Sequence, residues 1–297
     1  MILLDPTNRI LFDLIVSRIK NPEERIPCDY LMADFDGVLY HVLSLKGQTD
    51  ILIISISIKI YDDLCKYGAD SILHNLYGEN IIETERGYNM TIQIPLTGIK
   101  VAPEKYASKF ARLKRNLFSA PFRYVFEGIA KGETFKEPVF QITYREDESF
   151  FIVPGQGQCT IIFSMCFKDM GDQVLSRVFL QEFANTQKAV RNAPPVTFSP
   201  NPPREISSLR LSPKPEITYI SLVLFQRHID GPKKATALDL VPMIRNYLHY
   251  HIKCTKAYIH IRMRARAESL LKILNRAKPE PIKKVRKTIS GRTFRQK

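Results

Sequence analysis

Apolar and polar residues alternate in two rhythms along this chain. Ile10, Leu11, Leu14, Ile15 and Ile19 recur at helical spacing, so Ile2 to Ile19 is predicted as a helix that Asn21-Pro22 ends. Strand-length runs follow at Tyr30 to Ala33, Val38 to Leu45 and Ile51 to Ile60. Gly37 and Lys46-Gly47-Gln48 separate them with turn chemistry. Ile51 to Ile58 is apolar or small throughout, the composition of a central strand. Ile60 to Leu76 returns to helical spacing, with Leu64, Cys65, Ile72, Leu73 and Leu76 toward a core, Gly68 inside it and Gly78 as a C-terminal cap. A strand over Tyr88 to Ile94 closes at Pro95. A helix over Pro103 to Phe118, with Pro103 in its first turn, completes one α+β unit.

The order then repeats. Val139 to Tyr144, Ser149 to Val153 and Cys159 to Phe167 read as strands, with turns at Glu146-Asp147 and Pro154-Gly155. A helix over Asp172 to Asn185 follows, then strands at Pro195 to Phe198 and Ile217 to Phe225. Between these two strands, Pro200, Pro202, Pro203, Pro213 and Pro215 impose a long irregular loop. One local echo accompanies the repeat: Ser57-Ile58-Lys59 and Cys166-Phe167-Lys168 each precede a helix. Alone it does not establish a duplication.

From Thr236 to Ala277 there is no glycine and one proline, Pro242. Val241, Ile244, Leu248, Ile252, Ile259, Met263, Leu270 and Leu274 form one apolar stripe at about 100° per residue. Arg245, His249, Lys253, Lys256, His260 and Arg264 fall on the adjacent face. A helix of about 40 residues spans roughly 60 Å, longer than a domain of this size covers. Pro242 is expected in its first turn with Asp239 as N-cap, or as a kink. Tyr258 to Arg266 also alternates with period two, but no turn bounds it, so helix is preferred. The fold class is α+β. Its divisions are 1–118 and 119–232 as two α/β domains, 233–278 as a long C-terminal helix, and 279–297 as a basic tail too poor in apolar residues to fold alone.

Charge sharpens this division. Net charge is +14, yet residues 1–232 hold 26 Lys and Arg against 27 Asp and Glu, and residues 233–297 hold 18 against three. Acids are almost absent from the C-terminal helix, which favours contact with a polyanionic surface over a merely solvated face. Nucleic acid is one such partner, with Tyr247, Tyr250 and Tyr258 as stacking rings; the acidic side of a protein polymer is another. The stripe suits a protein groove or a second helix better than a membrane surface. No apolar run reaches the roughly 20 residues a bilayer requires, and Met1 to Asp5 lacks the basic region of a secretory signal. The five cysteines form no CxxC pair and read as free thiols of a reducing compartment, and the histidines show no zinc spacing.

One motif imitates an enzyme. Tyr30-Leu31-Met32-Ala33 followed by Asp34-Phe35-Asp36-Gly37 is the pattern of haloacid-dehalogenase-type phosphatases, with Asp34 as nucleophile and Asp36 as general acid beside Mg²⁺. Asp62-Asp63 and Gly171-Asp172 are poorly placed to complete that site, so a hairpin turn is the preferred reading. Gly155-Gln156-Gly157 lacks a phosphate-loop lysine and reads as a turn. Nothing else demands catalysis, a cofactor or a metal.

Longer stretches carry a resemblance. They are Met1 to Leu4 with Asn8-Arg9-Ile10, Ala33 to His41, Gly68-Ala69-Asp70 with His74 to Gly78, and Leu113 to Asn116. The densest are Tyr247 to Cys254, Lys256 to His260 and Arg262 to Ala265, extended by Leu274 to Ala277 and Lys287 to Phe294. In order along the whole chain, these resemble the subunit 2 family of the actin-related protein 2/3 complex, the 34-kDa type. The resemblance implies two similar α/β domains before a long helix, and a non-catalytic subunit that scaffolds branched-filament nucleation in the cytoplasmic actin cytoskeleton, at the cortex and in cell projections. It implies as partners subunit 4, other subunits including the two actin-related proteins, and the actin filament, with no nucleic acid. It places filament contacts near Ile244, Arg245, Tyr247, Lys253, Lys256 and Arg264, and at Lys188 and Arg191. It gives the stripe Leu248, Ile252, Ile259, Met263, Leu270 and Leu274 to the sister subunit. This sequence departs from the family at Pro242, at Ile244 (usually aromatic), at Thr186 to Arg191 (usually Gly-Arg-Arg), and at turns around Gly128-Ile129 and Ser207-Ser208.

Overall fold

The computed structural model describes residues 5–190 and 192–278, with backbone alone at 187–189. The first helix, α1 (Arg9–Lys20), starts later than its apolar spacing indicated. Asn8 sets the start, because its side-chain oxygen accepts the Leu11 amide at 3.1 Å. Three antiparallel strands follow as a meander: β1 (Cys28–Asp34), β2 (Val38–Ser44) and β3 (Ile51–Ile58). The expected single helix after them is two, α2 (Tyr61–Cys65) and α3 (Ala69–Tyr77). Gly68 takes the left-handed region between them, at φ 80°, which breaks the helical hydrogen bonding. The new phase buries Tyr77 and leaves Leu76 exposed. Gly78 caps α3 as expected, its amide donating to the His74 carbonyl, with a right-handed backbone that begins a 3₁₀ turn.

Two strands close the first sheet. The edge strand β4 (Ile81–Ile82) is too short to carry a period and was not predicted; β5 (Met90–Pro95) inserts beside β3. The order is β1-β2-β3-β5-β4. Helices α4 (Pro103–Ala111), α5 (Leu113–Phe118) and α6 (Ala120–Lys131) follow. The sequence reading assigned no helix to α6 and placed a turn near Gly128. Gly128 is helical, and a Cβ there would lie 2.5 Å from the Phe135 ring, so the glycine makes room for the ring rather than for a turn.

The second sheet contains β6 (Phe140–Arg145), β7 (Glu148–Gly155) and β8 (Gln158–Cys166). Helix α7 (Met170–Ala189) leads to β9 (Val196–Ser199) and β10 (Ile217–Phe225). Its order, β6-β7-β8-β10-β9, repeats that of the first sheet. The echo noted in the sequence falls at the end of the third strand of each sheet, β3 and β8. The β7–β8 turn sits at Gln156-Gly157 instead of Pro154-Gly155, because Gly157 supplies the left-handed residue at φ 67°.

After β10 come α8 (Gln226–Ile229), α9 (Gly231–Leu240) and α10 (Ile244–Arg276). Pro242 sits in a 3₁₀ turn between α9 and α10, so of the two expectations it is the kink in the long helix that is found. Proline has no amide to donate, and its ring crowds the preceding turn. The N-cap upstream is Asp230, which accepts the Gly231 amide at 2.7 Å, and not Asp239. Tyr258 to Arg266 is helical. At 33 residues α10 is about 50 Å long.

Of the described residues, those up to Ile252 form one compact unit and those from Lys253 to Lys278 another. In the first, both sheets face a common core. Tyr40, Ile54 and Phe110 join Phe163, Ile220, Leu248 and Ile252 there. Helix α6 helps to fill it, with Phe122 stacked on Phe150 at 5.0 Å between ring centres. A smaller cluster occupies the opposite face of the second sheet. There Ile206, from the proline-rich segment, packs on Phe151, Ile162 and Tyr219.

Candidate assembly surface

The Asp-x-Asp motif lies at the β1–β2 connection. Asp34 ends β1 and accepts the Phe35 amide at 2.6 Å and the Asn8 side-chain amide at 3.3 Å. Asp36 takes a left-handed backbone, at φ 67°, and points into the body. Arg145 Nη2 of β6 donates to its Oδ1 at 2.8 Å and Asn246 Nδ2 of α10 to its Oδ2 at 2.9 Å. Lys114 of α5 lies 3.2 Å from Asp34 and 3.4 Å from Asp36, and donates to the Phe35 carbonyl at 2.8 Å. Burial alone would raise the Asp36 pKa. The charge of Lys114 and the hydrogen bonds from Arg145 and Asn246 outweigh it and hold the carboxyl below its ordinary value.

This geometry accords with the preferred reading of the motif as a hairpin turn. Both oxygens of Asp36, the general acid of the phosphatase pattern, are engaged by side chains from three other elements. The motif therefore ties the β1–β2 turn to β6, α5 and α10.

A second polar tie sits deeper. Arg245 Nη2 is 2.6 Å from Glu148 Oε1, and that oxygen also accepts the Cys166 amide at 2.9 Å. Arg245 is only 5% exposed. It precedes Leu248 by three residues and Ile252 by seven, so it lies on the side of α10 that the body covers. The sequence reading set it on an open basic face; the structure removes it from that face. The Asp36–Asn246 and Glu148–Arg245 contacts span 210 and 97 residues, and no local signal marks them.

The other predicted residues divide along α10. Leu248 and Ile252 are fully buried in the chain's own core, which corrects their assignment to a partner interface. Ile244 and Tyr247 are half-buried against that core, with Tyr247 edge-on to the His251 ring at 4.4 Å. Beyond Ile252, Ile259 is half-buried, and Met263, Leu270 and Leu274 are 64, 57 and 51% exposed. Ile261, Leu271 and Ile273, which lie outside that stripe, are also exposed. Lys253 and Arg264 are exposed and Lys256 half-buried. One of the three tyrosines suggested for stacking, Tyr258, has the Arg262 guanidinium over its ring at 5.6 Å. Lys188 falls in the last turn of α7, where only backbone is described, and Arg191 lies outside the described residues. Among the described residues, no helix is long and apolar enough to cross a membrane.

One sheet topology used twice around a shared core, followed by a helix on which Met263, Leu270 and Leu274 are exposed, defines an α+β protein built on a repeated sheet. The sequence model of the Arp2/3 complex 34-kDa subunit, p34-Arc, matches residues 54–281. Actin-related protein 2/3 complex subunit 2 of Dictyostelium discoideum is 40% identical over the full length of both chains. Its counterpart of the same name in Schizosaccharomyces pombe is 34% identical over 99% of each. The chain belongs to the p34-Arc family of Arp2/3 complex subunits.

Proposed function

We propose that this protein is a structural subunit of an Arp2/3 complex. In this reading it holds a sister subunit along the exposed apolar side of α10 and meets an actin filament through basic side chains of the same helix. The exposure of Met263, Leu270 and Leu274 carries the first half. Burying one such side chain against a partner contributes about 1.5–3 kcal/mol, so a row of them favours a bound state. Family resemblance names the sister as subunit 4, adds the actin-related proteins as further neighbours, and sets the work in the cytoplasmic actin cytoskeleton.

For the filament, Lys253, Lys256 and Arg264 supply positive charge, with Lys188 and Arg191 as further candidates by resemblance. Arg245 takes no part, being buried against Glu148. Exposed charge pairs are individually weak and salt-sensitive, so affinity comes from several acting together on a repeating polyanion.

Two variants test the halves separately. Met263→Glu with Leu274→Glu is expected to leave the body folded and to lower recovery of the sister subunit at least about tenfold in purified complexes. Full stoichiometry in that variant refutes the apolar half. Lys253→Glu with Arg264→Glu is expected to keep the complex assembled and weaken co-sedimentation with filaments about tenfold at low salt, less at high salt. Unchanged co-sedimentation refutes the basic half.

A further inference from the structure

The two sheets each open with an edge strand, β1 in the first and β6 in the second, at the same position of the same topology. These edges are finished differently. On β6 the residues facing away from the core are Gln141 and Thr143, both polar and exposed, and a register shift between Thr143 and Arg145 interrupts its pairing with β7. Polar side chains and bulges are the usual means of keeping an edge from recruiting another strand. On β1 the corresponding face shows Leu31, 76% exposed, and Ala33, with Leu39 of β2 exposed opposite Ala33. Its pairing with β2 runs unbroken from Cys28–Ser44 to Asp34–Val38, and it contains neither lysine nor proline.

The neighbouring faces differ in the same sense. The chain covers the outer face of its second sheet with Ile206. At Leu31 and Leu39 the matching face of the first sheet has no such cover among the described residues. A fold used twice with opposite finishes does not itself require leucine at this edge. The charge around Leu31 is acidic. Asp29 is on the same face two residues away, and His41, paired across from Leu31, is gripped by Asp29 at 3.0 Å and Glu85 at 2.8 Å. A second copy is a poor occupant. The strand Cys28–Asp34 carries no basic residue, so a second copy offers Asp29 no positive charge to pair with.

We propose that the open edge of β1 receives an extended segment of another subunit as an added strand, with apolar side chains at alternate positions over Leu31 and Leu39 and a basic side chain against Asp29. This rests on the reading that the chain works within a multi-subunit assembly.

The test uses the purified complex and the two edges as each other's control. A photo-cross-linking side chain is placed at position 31 and, separately, at position 141, and amide exchange is followed in β1 and β6. The expected result is a cross-link from position 31 to a different subunit and none from 141, with outward β1 amides exchanging at least about tenfold more slowly than those of β6. Leu31→Lys is expected to abolish that difference while Gln141→Lys leaves it intact. Equal exchange at the two edges, or cross-links from position 31 only to a second copy of this chain, overturns the strand addition alone. A chain that purifies without other subunits overturns the assembly reading with it.

Discussion

Asp36→Ala is expected to destabilise the body by about 3 kcal/mol, the lower end of the cost of breaking a buried ion pair, because Lys114 and Arg145 keep some contact with water. At roughly 2–4 °C per kcal/mol for a chain of this size, the melting temperature falls by about 6–12 °C. Two effects contribute, and a second variant separates them. Alanine removes the acceptor for Arg145 and Asn246, and it must also adopt the left-handed backbone at φ 67° that aspartate and asparagine tolerate better. Asp36→Asn keeps the shape and the backbone preference and removes only the charge, so it is expected to lose less. The pH dependence follows from the direction of the shift. A carboxyl held lower in the folded state than in the unfolded chain contributes fully above its unfolded pKa, near 4, and loses that contribution as pH falls through the folded value. Wild type and Asp36→Asn therefore converge in stability as pH drops below about 4. Calorimetry at several pH values checks this; a constant gap down to pH 3 contradicts it.

Arg245→Glu is expected to cost more, about 5 kcal/mol, and to reduce soluble yield sharply at 37 °C. Glu148 is almost fully buried, and its Oε1 already accepts the Cys166 amide. A second carboxylate in place of the guanidinium leaves two buried negative groups facing each other. Arg264→Glu, nineteen residues along the same helix but exposed, is expected to change stability by no more than about 0.5 kcal/mol. Yield and melting temperature of the two variants distinguish a basic residue that holds the fold from one available to a partner. Equal stability of the two would refute the buried pairing of Arg245.

Local pattern went far with this protein. The run of apolar and small residues at Ile51 to Ile58 is the central strand β3, and the glycine-free stretch after Pro242 is α10. Pro242 was visible as a breaker, but its effect depended on Asp230, which starts a separate helix upstream. Helix α6 was passed over although Phe122, Val125, Phe126 and Ile129 have helical spacing. Gly128 reads as a breaker until Phe135 is seen lying across it.

Spacing also assigned Leu248 and Ile252 to the same stripe as Met263 and Leu270, and there its information stops. The first two are buried in the core and the last two are exposed, although nothing in their periodicity differs. The sequence by itself determined which side chains share a face, because strand and helix geometry repeat every 2 and 3.6 residues. Only the tertiary structure decided what lies against each face: Glu148 against Arg245, Arg145 and Asn246 against Asp36, and no described side chain over Leu31. Those neighbours come from distant parts of the chain, and packing of the whole brings them together.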